Sequence, residues 1–245
     1  MHSSIRFVWP VTLLALLVPA CDKSTPPTDT ESTTEPLQET VTTAEESAAR
    51  TPFDEAQVFF EFNTTDNDLG FQLFLDAEGW QKVTLAAPNG EQLVRIVADG
   101  KLANLGLTEL RFESAEPSPS EVLSQFPEGE YKLRGVTVEG ATLFSKVELS
   151  HDFLPAPTIS PSNGQVVDRT NTVVTWNAPG AEQVEIIIEQ EDLGEVFDVI
   201  LPGTTSQLRV PRQFLRSGTD YKIEILSIGE NGNRTIAEST FSTQS

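Results

Sequence analysis

The residue best suited to a defined chemical role is Cys21, the only cysteine in 245 residues. It follows an apolar run over residues 7–18, which comes after the basic residue Arg6. An apolar run of this length behind a basic start is typical of a secretory signal, whereas a bilayer-spanning helix needs about 20 residues. Ala20 supplies the small side chain expected beside a cleavage site. The pattern predicts a signal peptide over residues 1–20.

The end of this leader, Leu17-Val18-Pro19-Ala20-Cys21, resembles the lipobox of bacterial lipoproteins. In that family the cysteine sulfur receives a diacylglycerol and the chain is then cut before the cysteine. The resemblance implies that Cys21 is the lipid-attachment site and that acyl chains hold the protein at a membrane, each contributing about 0.8 kcal/mol per buried CH₂. Val18 and Ala20 match the motif, and Pro19 is an unusual occupant of its position. An ordinary signal peptide with an incidental cysteine is the alternative.

A second cluster with ligand-type side chains spans residues 63–70, which read Asn-Thr-Thr-Asp-Asn-Asp-Leu-Gly. The side-chain oxygens of Asn63, Asp66 and Asp68 before a glycine are similar to the start of a calcium loop. A twelve-residue loop counted from Asp66 ends at Ala77, which cannot supply the final carboxylate. Because Asp and Asn are also ordinary turn residues, the sequence favours a structural turn and no metal, with a calcium turn as the weaker alternative.

The net charge of the chain argues against nucleic acid as a partner. The net charge is −21, and removal of residues 1–20 leaves 15 basic against 37 acidic residues, or −22. Such a surface repels phosphate backbones, so we expect no nucleic-acid partner. The covalent lipid, rather than basic residues, would then have to attach the protein to a membrane.

Catalytic motifs are scarce in the sequence. Beyond residue 20 the chain has one histidine, His151, so it cannot form a zinc site of the His/Cys type or a mechanism that needs two histidines. There is no Gly-x-Ser-x-Gly motif and no phosphate-binding glycine loop. Paired carboxylates, as in glycoside hydrolysis, are the only catalytic chemistry that the composition permits. We therefore predict no enzyme activity and no cofactor.

The segment that follows the predicted signal peptide is a tether over residues 21–51. Residues 22–51 contain nine Thr, three Ser, three Pro and seven acidic residues, and no aromatic residue. Such a segment cannot bury enough apolar surface to offset its ordering entropy. The composition predicts a disordered spacer whose ends lie roughly 30 Å apart.

Short alternating segments follow over residues 52–153. Val58, Phe60 and Phe62 share one strand face, and Pro88-Asn89-Gly90 marks a hairpin. Residues 118–126 suggest one or two helical turns that begin after a serine cap. Seven short strands in about 100 residues predict an antiparallel β-sandwich.

A Pro-rich stretch introduces a second region over residues 154–245. Trp176 ends a strand, Leu215, Gly218, Thr219 and Tyr221 precede another, and Asn231-Gly232 marks a last hairpin. In order and spacing these residues resemble a fibronectin type III domain. The resemblance implies structural roles for Trp176 and for Tyr221, whose hydroxyl would form a tyrosine corner. The sequence thus predicts an all-β protein of two tandem antiparallel β-sandwiches.

Taken together, these features predict a bacterial lipoprotein that is exported, lipid-anchored at the cell envelope and exposed to the periplasm or the surface. Its expected role is that of a non-enzymatic binding, adhesion or scaffold module with an unidentified protein or glycan partner. The alternative function is a carbohydrate-binding module, because an exposed Trp80 or Phe59 could stack on a sugar ring. The core is the favoured location of Trp80.

Overall fold

The polypeptide from Arg50 onward is built almost entirely of β-strands. The computed structural model describes residues 50–245, so Cys21, the predicted signal peptide and most of the predicted tether lie outside the described residues. The all-β fold class predicted from the sequence is confirmed. The strands are β1 (Arg50–Thr51), β2 (Glu55–Asn63), β3 (Asp68–Ala86), β4 (Gln92–Val97), β5 (Leu107–Glu113), β6 (Gly129–Thr137), β7 (Thr142–Leu149), β8 (Thr158–Ser160), β9 (Gln165–Val167), β10 (Val173–Asn177), β11 (Gln183–Gln190), β12 (Glu195–Pro202), β13 (Gln207–Arg209), β14 (Asp220–Ile228) and β15 (Arg234–Thr243). The helical segments are α1 (Lys101–Leu105), α2 (Pro119–Gln125) and a single 3-10 turn, Glu191–Leu193.

The N-terminal region, residues 50–153, is organised around the long strand β3. The first part of β3 pairs with β2 and β5, and its second part pairs with β4 and β6. The register with β5 shifts between Asp76 and Trp80. A bulge bends a strand and increases its twist, so one continuous strand serves two parts of a folded sheet.

The core of the N-terminal region lies on the predicted face of β2. Val58 and Phe60 are buried, and Phe62 packs against them from a half-buried position. Aromatic side chains fill much of this core, and the rings of Phe71 and Phe126 stack with centroids 4.4 Å apart. The helix predicted over residues 118–126 forms as α2, with Ser118 at its N-cap.

The folded part begins at least two residues earlier than the sequence suggested. Arg50 and Thr51, assigned from composition to the end of the tether, form β1 and pair in parallel with β7. The guanidinium of Arg50 lies 5.0 Å from the ring centroid of Phe144, and that of Arg134 lies at the same distance from this ring. The edge of β7 therefore orders a short segment that has no apolar pattern of its own.

The C-terminal region, residues 154–245, is a β-sandwich. One sheet has the order β13-β10-β8, and the facing strands run β12-β11-β14-β15. Its core contains Trp176 and Tyr221 together with buried Val and Ile side chains of β11 and β14. The long polar connection after β8 includes β9, which pairs in parallel with the end of β15.

One sheet continues through both regions, which belong to a single compact unit. The end of β2 pairs in parallel with the start of β15, so that Arg234 is opposite Glu61 and Ile236 is opposite Asn63. This pairing places the outward-facing side chains of the two regions side by side on one sheet surface. The candidate binding site lies on this shared surface.

Candidate binding groove at the junction of the two regions

A groove of about 630 Å³ lies where the N-terminal and C-terminal regions meet. Residues on the outward face of β2 and β3 form its floor on one side, and the ends of β11, β12 and β14 form the other side. The loop over residues 229–232, which joins β14 to β15, forms part of its wall. The residues that line it include Glu55, Gln57, Phe59, Gln72, Phe74, Arg111, Glu148, Glu182, Ile200, Glu230 and Arg234.

Asn233 connects the two regions beneath this groove. Its Oδ1 accepts a 2.9 Å hydrogen bond from the backbone N–H of Phe60. Its Nδ2 donates to the backbone carbonyls of Ser150 and Asp152, at 2.8 and 3.0 Å. The side chain is only 2% exposed, and its bond with the Phe60 N–H is buried. The loop that follows β14 is therefore tied both to β2 and to the end of the N-terminal region.

Two arginine–phenylalanine pairs lie on the groove surface. The guanidinium of Arg234 lies 4.9 Å from the ring centroid of Phe59, and that of Arg111 lies 4.9 Å from the ring centroid of Phe74. Both distances are within the range of cation–π interactions. Residues Phe59 and Phe74 face outward because alternate residues of β2 and β3 point away from the core.

The two arginines differ in their acidic partners. Nη1 of Arg234 lies 2.8 Å from a carboxylate oxygen of Glu185 and 3.8 Å from one of Glu61. Arg111 makes no ion pair among the described residues, and its side chain is exposed. A guanidinium offers five N–H donors, so Arg111 can donate to a carboxylate or carbonyl group that enters the groove.

The rest of the groove is acidic. Exposed carboxylates occupy its rim at Glu55, Glu148, Glu182 and Glu230. Beside the groove residue Arg234, burial raises the pKa of Glu185, Arg234 opposes this rise, and nearby Asp198 adds to it. The groove therefore offers the exposed guanidinium of Arg111, aromatic rings covered by guanidinium groups and a negative rim, a combination suited to a polar, partly apolar chain segment.

Three carboxylates near the junction could hold a cation. Glu61, Glu113 and Glu116 each offer an oxygen, and these oxygens all lie within 4.8 Å of one another. Gly70 lies beside them, since a Cβ at this position would be 3.2 Å from Cγ of Glu116. Carboxylate oxygens are the ligands that Ca²⁺ and Mg²⁺ prefer. This carboxylate cluster contains none of the three residues considered for a calcium turn.

The predicted turn residues have structural contacts at the junction. Oδ1 of Asn63 accepts from the backbone N–H groups of Thr65 and Asp66, at 2.9 and 3.3 Å. Its Nδ2 donates to Oε1 of Glu238 at 2.7 Å. Asn63 thus shapes the turn between β2 and β3 and also contacts the C-terminal region, while Asp68 already belongs to β3.

Trp176 and Tyr221 lie in the core of the C-terminal sandwich. The Tyr221 hydroxyl accepts a 2.7 Å hydrogen bond from the backbone N–H of Arg216 and donates to the carbonyl of Phe214 at 3.4 Å. Trp176 is 6% exposed, and its Nε1 has no hydrogen-bond partner among the described residues. Neither residue lines the groove.

Trp80 and His151 also make contacts within the fold. Trp80 is fully buried, and its Nε1 donates to the carbonyl of Thr108 at 3.2 Å, in agreement with the favoured core location. His151 Nε2 lies 2.8 Å from the carbonyl oxygen of Phe126, and its ring packs edge-on against Phe60.

Local sequence patterns do not identify the groove arginines Arg111 and Arg234. Their positions depend on the register between distant strands, which no local motif encodes.

Within residues 50–245, no helix has both the length and the apolar character needed to cross a bilayer.

Comparison with known proteins gives distant structural likenesses only. No protein-family model matches the chain, and no curated protein matches it. The chain is similar to the FN1–FN3 domains of chicken CNTN1, at 12% identity over 80% of this chain and 69% of that chain, with a TM-score of 0.34. It is similar to a two-domain fibronectin type III segment of chicken tenascin, at 11% identity over 77% and 97%, with a TM-score of 0.30. It is also similar to a tandem repeat from the extending region of a large adhesion protein, at 14% identity over 78% and 50%, with a TM-score of 0.29.

Proposed function

We propose that this chain is an exported lipoprotein that acts as a non-enzymatic binding or scaffold module at the bacterial cell envelope. The observation that supports this proposal best is the continuous sheet through β2 and β15, which joins two β regions into one unit with a groove at their junction. A lipid on Cys21 would anchor the unit, and the segment over residues 22–49 would separate it from the membrane.

The binding role follows from the character of the groove. Its floor presents aromatic rings covered by guanidinium groups, and its rim presents carboxylates. Interfaces are enriched in aromatic residues and Arg near their centre and have a polar rim. We propose that the groove holds a segment of a partner protein and that no reaction takes place there.

The carbohydrate-binding alternative has less support. Stacking on a sugar needs an open aromatic face, but Trp80 is fully buried and Phe59 is 7% exposed beneath Arg234. A glycan array tests this alternative directly. Retention of a sugar by the full chain, lost when Phe74 is changed to Ala, would favour the glycan partner over a protein.

The anchor is tested with the Cys21→Ser variant. Cells that express the full chain are fed a labelled fatty acid and then separated into membrane and soluble fractions. We expect label and membrane retention in the wild-type chain and in a Ser32→Ala control, and loss of both in Cys21→Ser. Membrane retention of Cys21→Ser would contradict the proposed anchor.

The groove is tested by site-specific photo-crosslinking in the cell envelope. A photoreactive residue replaces Gln57, which is exposed on the groove surface, or Glu139, which lies on an exposed turn outside it. We expect a discrete crosslinked species from position 57 and none from position 139. The same products from both positions, or none from either, would contradict a partner that binds in the groove.

A further inference from the structure

The outermost strand of the C-terminal sandwich, β12, has one unoccupied edge. All eight residues of β12 pair with β11, and no other strand of residues 50–245 pairs with its opposite side. The register with β11 runs from Gln190↔Glu195 to Gln183↔Pro202 without a shift. The free edge is therefore regular along its whole length, which is the geometry that a further strand needs.

The backbone groups on this free edge can be assigned from Pro202. Proline has no N–H, and within sheets it occurs where the ladder does not need one. The next residue, Gly203, donates its N–H to the carbonyl of Glu182 on the β11 side at 2.7 Å. Because backbone groups alternate in direction along a strand, Ile200, Asp198 and Val196 direct their N–H and C=O groups away from β11.

The side chains of these same residues form an apolar–acidic–apolar row. Val196 is 56% exposed and Ile200 is 51% exposed, with exposed Asp198 between them. The alternate residues Phe197, Val199 and Leu201 pack against the core. Edge strands in natural proteins are usually protected by charged side chains, proline, bulges or an overlying element. On β12 such protection consists of Pro202 at one end and the acidic residues Glu195 and Asp198, which leave the edge open to a basic segment.

The charge around Val196, Asp198 and Ile200 indicates the charge that a partner segment must carry. A residue added opposite Asp198 would have its Cβ roughly 5 Å away, where opposite charges attract and like charges repel. The β11 residue Glu189 is opposite Val196 in the register and adds a second carboxylate beside these residues, whereas Glu185, opposite Ile200, is already paired with Arg234. A second copy of this chain, with a net charge of −21, would add acidic residues to an acidic edge. The complementary occupant is a basic segment.

We propose that β12 is a docking edge for an extended segment of another protein, which adds as a strand and places Lys or Arg beside Asp198 and apolar side chains beside Val196 and Ile200. In this mode of binding, main-chain hydrogen bonds provide the affinity and alternate side chains provide the specificity. The inference deepens the proposed binding function by naming a partner chemistry, and it depends on neither the lipid anchor nor a ligand on the groove floor.

The test uses a synthetic seven-residue peptide with threonine at odd positions and valine, lysine and valine at even positions. The full chain, labelled with ¹⁵N, is titrated with this peptide, and amide resonances are followed by NMR. We expect saturable shifts confined to β12 and its neighbours. A peptide with glutamate in place of lysine should bind about fivefold more weakly, because a like-charge pair replaces an opposite-charge pair.

Three variants separate the backbone contribution from the side-chain contribution. Ile200→Pro removes the outward N–H and should abolish binding, whereas Ile200→Thr retains the N–H and should bind within about threefold of the wild type. Asp198→Lys should reverse the preference between the lysine and glutamate peptides. Circular dichroism confirms that each variant is folded, and Asp198→Lys alone is decisive if Ile200→Pro does not fold.

The proposal is overturned if the lysine peptide gives no shifts in β12 at millimolar concentration, or if Asp198→Lys leaves the peptide preference unchanged. Either result would leave the proposed groove and anchor intact, because photo-crosslinking at position 57 and fractionation of Cys21→Ser measure different parts of the molecule.

Discussion

Asn233 and Phe60 are 173 positions apart in the chain, yet the side chain of one accepts a 2.9 Å hydrogen bond from the backbone of the other. The bond lies at the point where β2 of the N-terminal region meets β15 of the C-terminal region. Because Asn233 is buried and makes three such bonds, it links the two β regions through directional contacts rather than through apolar packing alone.

Replacement of Asn233 by Ala should strongly destabilise the unit. The change leaves the Phe60 N–H and the Ser150 carbonyl without their partner, whereas the Asp152 carbonyl keeps a 2.9 Å hydrogen bond from Nδ2 of Asn231. Each buried unsatisfied group costs about 1–3 kcal/mol. We expect a loss of about 3 kcal/mol in the free energy of unfolding, measured by urea titration of the full chain.

The control for this prediction is Asn177→Ala. Asn177 is exposed at the end of β10, so its replacement should change the free energy of unfolding by less than about 0.5 kcal/mol. Equal effects of the two substitutions would show that the three hydrogen bonds of Asn233 do not stabilise the junction.

The Tyr221 hydroxyl should contribute to stability through the backbone of the preceding loop. Tyr221→Phe retains the packed ring but removes the acceptor of the 2.7 Å bond from the Arg216 N–H. We expect the free energy of unfolding to fall by about 1–2 kcal/mol, with a lower urea midpoint and an unchanged slope. An unchanged midpoint would mean that water replaces the hydroxyl at no cost.

Local sequence patterns predicted much of the architecture. The alternation of Val58, Phe60 and Phe62 indicated the buried face of β2, and the spacing around Trp176 and Tyr221 indicated the order of strands in the C-terminal region. These features depend on the two-residue period of a strand and on turn residues, both of which can be recognised within about ten positions.

Relationships between distant strands could not be predicted in this way. The pairing of Glu61 with Arg234 depends on which edge of each region remains open, and a one-residue shift would turn both side chains to the opposite face. The contact of Arg234 with Phe59 follows from that register, and the contact of Arg111 with Phe74 follows from the register between β3 and β5. Similarly, the continuation of β3 as one bulged strand through Glu78 and Gly79 depends on its pairing with β5 and β6.

Stability at alkaline pH should depend on Tyr131. Burial raises the pKa of its hydroxyl from 10.0 to about 12, and the hydroxyl donates to the carbonyl of Pro127 at 2.9 Å. Between these two pKa values the unfolded chain releases this proton and the folded chain retains it. The stabilisation is therefore fully present below pH 10 and is lost as the pH rises to about 12.

The measurement for Tyr131 compares urea midpoints of the wild type and Tyr131→Phe over this pH range. At neutral pH the variant should be about 1 kcal/mol less stable because it lacks the hydrogen bond. As the pH rises, the wild type should lose about 2–3 kcal/mol more than the variant does. Parallel pH profiles for the two proteins would contradict a raised pKa in the folded state.

Two buried threonines on β15 should respond in opposite ways to the same substitution. Thr235 is 1% exposed, and its Oγ1 has no hydrogen-bond partner among the described residues. Thr243 is 3% exposed, but its Oγ1 accepts from the Thr219 N–H at 3.0 Å and donates to the carbonyl of Arg216. Valine has nearly the shape of threonine without the hydroxyl, so it isolates the contribution of that group.

Thr235→Val should therefore raise the free energy of unfolding by about 1 kcal/mol, because it removes a buried hydroxyl that has no hydrogen-bond partner among the described residues. Thr243→Val should lower it by about 1–2 kcal/mol, because a backbone donor and a backbone acceptor lose their partner. Both values come from urea unfolding of the full chain under identical conditions. A loss of stability in Thr235→Val as large as that in Thr243→Val would show that the Thr235 hydroxyl has a partner, such as a buried water molecule, at the junction of β14, β15 and β2.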